Sequence, residues 1–127
     1  MIVVSDTTPL ISLLKINRLE LLERLFGDVM IPTAVFDELT VDKRFRTEAD
    51  QIRQKSFIVV KPVNNQESAS VLKRATGLDQ GESEAIVLTD ELEADLLLMD
   101  EAKGRSVSAQ MGLKIMGTIG ILMAAYE

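Results

Sequence analysis

Two apolar runs, residues 2–4 (IVV) and 96–99 (LLLM), lead within one or two residues to an aspartate and then into a helical pattern. Consecutive apolar residues, without the alternation of a half-exposed strand, mark a strand covered on both faces, as in a parallel sheet. Asp6 and Asp100 then stand at the carboxyl ends of two such strands, each beside a helix N-terminus. In open α/β sheets that edge is where ligands bind. An aspartate in this position also serves as a helix cap, so neither residue decides the matter alone. After Asp6, Thr7 and Thr8 can cap free backbone N–H groups, and Pro9 suits a first helical turn. Leu10, Leu13 and Leu14 fall on one side of that helix.

The same alternation runs through the rest of the chain. Leu19, Leu21, Leu22, Leu25 and Phe26 recur at helical spacing as far as Gly27. Residues 29–31 form a second strand. Pro32 and Thr33, the latter as N-cap, open a helix through Val35, Phe36 and Leu39, with Glu38 at the edge of its apolar stripe. Residues 40–54 are polar, a solvated helix or helix–loop. Lys43, Arg44, Arg46 and Arg53, with Lys55 just beyond, make it a candidate surface for phosphates. A third strand at 57–60 is followed by an amphipathic helix over 64–76, which ends at Gly77. Asp79 can cap the next helix. Counting from Glu82 to Ala85, Ile86 and Thr89 puts Glu82 at the head of the inward face, and Glu84 nearer Val87, Leu88 and Glu91. After the fourth strand and Asp100, a helix starts at Glu101 and Ala102. Residues 113–116 form a fifth strand, and Gly117 and Thr118 lead into a last apolar helix. No repeat or linker interrupts this, so residues 1–127 are one domain. Strands alternating with helices predict an α/β, three-layer architecture around a parallel sheet.

Composition narrows the chemistry. Apolar residues make up 46% of the 127, but aromatics only 4%, so the core is aliphatic. With no cysteine and no histidine, disulfides, thiolate nucleophiles, imidazole bases and the usual zinc sites are excluded. Any metal is a hard, oxygen-loving cation such as Mg²⁺ or Mn²⁺. The absence of a long apolar run and of a signal-peptide pattern predicts a soluble, cytoplasmic chain with no membrane partner. Twenty acids against fourteen bases give −6, whereas nucleic-acid binders are usually basic. Surplus acid can simply keep a protein soluble, or several acids can converge on a cation. If the first and fourth strands are neighbours, Asp6 and Asp100 face each other, and Glu38 and Glu82 can close the ring. Crowded carboxylates repel unless protonated or bridged by a cation, and a metal held by acids suits phosphoryl chemistry.

Taken in order, VSDTTPLI, IPTAVFDEL, GLDQGESEAIVL, ADLLLMDEAKGR and MGTIGIL resemble the PIN-domain superfamily over nearly the whole chain, nearest to a prokaryotic PIN-like branch related to VapC-type toxins. The resemblance implies a five-stranded parallel sheet in the order 3-2-1-4-5, dependence on Mg²⁺ or Mn²⁺, and endonucleolytic cleavage of single-stranded RNA. It implies Asp6, Glu38, Glu82 and Asp100 as the catalytic, metal-binding acids, with the Thr118 hydroxyl near the site. The third acid is more often Asp in the toxins, and Glu84 is a rival to Glu82 here. Glu101 stands approximately where a typical toxin has a further acid. Relatives commonly continue for another helix or more beyond the position of Glu127. Lys103 and Arg105 are the basic residues nearest the implied site. The implied partners are an RNA substrate, an antitoxin protein and a second copy of the chain, the homodimer using the apolar surplus of the first two helices. Two other classes stay open. One is a PIN-like fold kept for binding or dimerisation with little or no activity. The other is a phosphoacceptor signalling domain, which would need a lysine after the last strand, where Lys114 instead opens it.

Overall fold

The structure, a computed structural model, describes residues 1–41 and 43–127. Val3, Val4 and Ser5 are all buried and form β1 (Val3–Ser5), the middle strand of a sheet. The chain continues through α1 (Thr7–Lys15), α2 (Glu20–Phe26), β2 (Val29–Pro32) and α3 (Thr33–Val41). A 3₁₀ turn (Lys43–Phe45) and α4 (Arg46–Arg53) lead to β3 (Ile58–Lys61), α5 (Gln66–Thr76) and α6 (Gln80–Glu91). Then come β4 (Leu96–Leu98), α7 (Ala102–Gln110), β5 (Ile115–Met116) and α8 (Thr118–Ala125). The five strands are parallel and ordered β3-β2-β1-β4-β5, as expected. β1 is therefore the switch point: the chain builds the sheet outward from it on one side, then returns to its other side with β4.

Strand geometry explains the two cores. Successive side chains of a strand point to opposite faces. Val3 and Leu98 pack with Leu10, Leu13, Leu22, Val35 and Ile121 on one face. Val4 and Leu97 pack with Ala69, Ala85, Ile86 and Leu88 on the other. A sheet buried on both sides needs the uninterrupted apolar runs that the sequence supplies. Removing one such side chain, as in Leu98→Ala, costs about 2–5 kcal/mol.

Three local readings change. α3 begins at Thr33 itself, and the N–H of Ala34 in its first turn is taken by the Glu84 carboxyl group from α6 at 3.1 Å, so Thr33 is not the N-cap. In the polar stretch 40–54, Ala49 and Ile52 of α4 are buried, so this helix packs one side inward; Asp42, in the same stretch, lies outside the described residues. The apolar surplus of α1 and α2 is used internally. Leu10, Ile11, Leu13, Leu19, Leu21 and Leu22 are buried, and both helices pack against α8. Large apolar residues left exposed include Ile16 just after α1, Ile119 and Met123 on α8, and Tyr126 at its end. Among the described residues, no helix is long and apolar enough to cross a membrane.

Candidate active site

β1 and β4 are neighbours, with Ser5 opposite Leu98 and the Asp6 N–H donating to the Leu98 carbonyl at 2.9 Å. Asp6 and Asp100 thus leave adjacent strands at the same edge. Asp6 is only 4% exposed, and its side chain makes no capping hydrogen bond to α1. Burial pushes its carboxyl group up from 3.8 to about 7. The N–H of Thr7 opposes this, and the charges of Asp79, Glu38 and Asp100 add to it. Asp100 is half-buried and held from α8: Thr118 donates to it through its N–H at 2.7 Å and its hydroxyl at 2.6 Å. Gly117 is required by this approach. A Cβ there would stand 2.8 Å from Asp100 Oδ1 and 2.8 Å from Arg105 Nη1. The Arg105 guanidinium donates to the Met99 carbonyl at 3.3 Å.

Glu38 lies exposed on α3, and the Thr7 hydroxyl donates to its Oε2 at 2.9 Å. The same oxygen is 3.0 Å from the place a Cβ of Gly81 would take, so α3 and the start of α6 approach closely only because residue 81 is glycine. Asp79 and Glu82 form a capping box at the head of α6. The Glu82 N–H donates to Asp79 Oδ1 at 2.7 Å, and the Asp79 N–H to Glu82 Oε1 at 3.0 Å. This satisfies two N–H groups that a helix start otherwise leaves unpaired. Glu82 is also pushed up from 4.5 to about 7, first by burial, against the Asp79 N–H; the charge of Asp79, a hydrogen bond with Glu101 and the charge of Asp6 add to it. Glu101 caps α7 by accepting from the Gly104 N–H at 2.7 Å, and that bond chiefly holds its own carboxyl group below the usual range.

The charges of Asp79, Glu38 and Asp100 act on Asp6, those of Asp79 and Asp6 act on Glu82, and Glu101 hydrogen-bonds with Glu82. Asp79, expected only as a cap, is that cap, and its charge also acts on Asp6 and Glu82. Glu84 lies apart. It is 5% exposed and accepts from the Ala34 N–H and from the Gln80 side-chain amide at 2.8 Å. Glu82, expected at the head of the inward face, is half-exposed, and Glu84 is the buried acid. The one-face count failed because α6 packs against α3, α5, α7 and three strands, with Gly81 and Ser83 through Thr89 all buried.

A groove of about 450 Å³ opens beside Glu38, lined also by Ala34, Val41, Asp79 and Gln80. A hollow of similar size over α5, near Asn65 and Val71, is remote from this chemistry. Lys103 Nζ lies 3.3 Å from the Cβ position of Gly77 and its charge acts on Glu101, so Lys103 and Arg105 are the cations flanking the acids. Lys114 precedes β5, at the end of the sheet opposite to the acids, which argues against a phosphoacceptor domain.

The donor set is all oxygen, and Asp6 is buried among acids without a capping bond, which fits Mg²⁺ or Mn²⁺. In donor chemistry the site suits such a cation, but among the described residues no group of three or more acidic side chains is arranged so that it could hold a metal ion. Glu82 and Asp100 are instead held by the hydrogen bonds above.

Comparison with known proteins agrees with this architecture. The model of a PIN domain family (DUF3368) matches residues 2–127. A PilT N-terminus domain protein from the hyperthermophilic archaeon Sulfolobus solfataricus P2 has a similar structure, with a TM-score of 0.69 and 18% identity over 100% of this chain and 95% of that one. At this identity the likeness is one of fold. No curated protein matches the chain.

Proposed function

The chain belongs to the PIN-domain family, whose fold is of nuclease type, and from that premise we propose that it is a Mg²⁺- or Mn²⁺-dependent endoribonuclease acting on single-stranded RNA. The observation that supports this best is Asp6. A buried carboxyl group raised to about 7 and ringed by Asp79, Glu38 and Asp100 needs either a proton or a cation at neutral pH. Asp6 and Asp100 would be the main ligands of that cation, with Glu38 and Glu82 holding it directly or through water. When bound, the cation supplies Lewis-acid chemistry: it lowers the pKa of a water and offsets charge on the phosphate.

The chain's own residues prepare that site. Thr7 orients Glu38, Thr118 fixes Asp100 through two hydrogen bonds, and Asp79 holds Glu82 through the capping box. Lys103 and Arg105 would contact phosphates of the substrate, offsetting locally a net charge of −6 that otherwise opposes RNA. The same reading extends to a cytoplasmic toxin with an antitoxin protein as partner, and to a homodimer, both drawn from the likeness to VapC-type toxins. A second reading, a PIN fold kept for binding rather than catalysis, is favoured by the finding that, among the described residues, no group of three or more acids is arranged to hold a metal ion.

The test is cleavage of a labelled single-stranded RNA by wild type and Asp6→Asn, with Mn²⁺ or with chelator. The nuclease reading expects cleavage by wild type in Mn²⁺ alone and background activity in the variant. A wild type inert in Mn²⁺ would favour the binding module, and a variant as active as wild type would remove Asp6 from the site.

A further inference from the structure

α3 and α6 meet in two rungs. Ala34 and Glu38 lie one turn apart on α3, and Gly81 and Glu84 lie one turn apart on α6, so each pair shares a helix face. In one rung the Ala34 N–H donates to Glu84 Oε1 at 3.1 Å. In the other, Glu38 Oε2 lies 3.0 Å from the Cβ position of Gly81. The rungs run in opposite directions along the two helices, which are antiparallel at this seam. Glu84 is fixed on both oxygens, since Oε2 accepts from the Gln80 amide at 2.8 Å. At 5% exposure it is held away from water, where a hydrogen bond is both stronger and costlier to lose. Glu38, one turn further along α3, accepts from Thr7 and faces Asp6 and Asp79.

We propose that Glu84 is a positioning residue: it latches the first turn of α3 onto α6 and so sets where Glu38 meets Asp6 and Asp79. The catalytic meaning of this rests on the nuclease reading; its structural content does not. The simpler account is an acid at a helix start that favours the helix dipole wherever the active site lies, and the two differ in what happens at Glu38.

Glu84→Ala removes the latch. Glu84→Gln keeps an acceptor for the Ala34 N–H, and its new donor can be met by turning the Gln80 amide. The readouts are amide exchange at Ala34, the Glu38 carboxyl carbon signal by NMR, Mn²⁺ affinity by calorimetry, and kcat and KM on single-stranded RNA. In Glu84→Ala the Ala34 amide should exchange faster and the Glu38 signal should move. Mn²⁺ affinity should fall about 10–100-fold, the usual effect of losing a group that orients a metal ligand, and kcat should fall with KM held. Glu84→Gln should recover affinity to within about threefold, since its hydrogen bond to Ala34 persists. A folded Glu84→Ala protein with its Ala34 amide freed, but with the Glu38 signal and Mn²⁺ affinity of wild type, would overturn the proposal and leave Glu84 a helix cap. If wild type takes up no Mn²⁺, the nuclease reading fails, and the Glu38 signal alone decides for or against the latch. If Glu84→Ala does not fold, Glu84→Asp, which withdraws the carboxyl group by one methylene, is measured against the same criteria.

Discussion

Replacing Asp6 by asparagine should make the metal-free protein more stable at alkaline pH. The Asp6 carboxyl group is pushed from 3.8 to about 7, chiefly by burial and then by Asp79, Glu38 and Asp100. At about 1.4 kcal/mol per pH unit this rise corresponds to about 4 kcal/mol, an upper figure because a protein relaxes around a buried charge. The folded chain holds this proton to higher pH than the unfolded chain does. The contribution of the group to stability is therefore complete below pH 3.8 and is lost as the pH rises through about 7. Asparagine keeps the shape and cannot ionise. In chelator at pH 8, Asp6→Asn should exceed wild type by about 2–4 kcal/mol, and at pH 4 the two should agree within about 1 kcal/mol. Urea unfolding followed by circular dichroism at both pH values measures the difference. Saturating Mn²⁺ should raise wild type, by about 2.7 kcal/mol at a hundredfold excess over Kd, and leave the variant behind. A variant less stable than wild type at pH 8 without metal would refute the reasoning, because Asp6 would then be a charge that the fold welcomes.

Gly117→Ala places a methyl group 2.8 Å from Asp100 Oδ1 and Arg105 Nη1, so Mn²⁺ affinity by calorimetry should drop about tenfold or more. Thr118→Val takes the hydroxyl donor from Asp100 and should cost about 1–3 kcal/mol in thermal melting, most of it restored by Thr118→Ser. Asp79→Asn keeps a side-chain acceptor at the N-cap but removes a charge that raises both Asp6 and Glu82. Carboxyl titration by NMR should find both groups lowered, with helix α6 intact.

The sheet was legible because burial on two faces leaves a mark in the chain. Runs such as LLLM at 96–99 have no polar alternation, and each is followed by a helix, which leaves few topologies besides a parallel sheet. Asp6 and Asp100 were legible for the same reason, since each ends such a run and their strands are neighbours in the sheet. Asp79 was not, because a cap and a site acid look alike in sequence at a helix start. Its position beside Gly81, where the backbone must approach another element, was the available signal. The burial of Glu84 left no trace in periodicity, since α6 is enclosed on nearly every side and has no outward face to count against. The role of the apolar residues on α1 and α2 could not be read either. Whether they cover a partner or a later helix depends on where α8 lands, and α8 lands on them.

The central claim is that these acids hold a divalent cation in exchange for protons. Calorimetric titration of Mn²⁺ at pH 7, in two buffers of different ionisation enthalpy, measures binding and proton release together. With Asp6 and Glu82 both titrating at about 7, saturable binding should release about one proton per ion, and Asp6→Asn and Asp100→Asn should abolish it. Absence of binding in wild type, or binding that survives Asp6→Asn with no change in proton release, would contradict the claim.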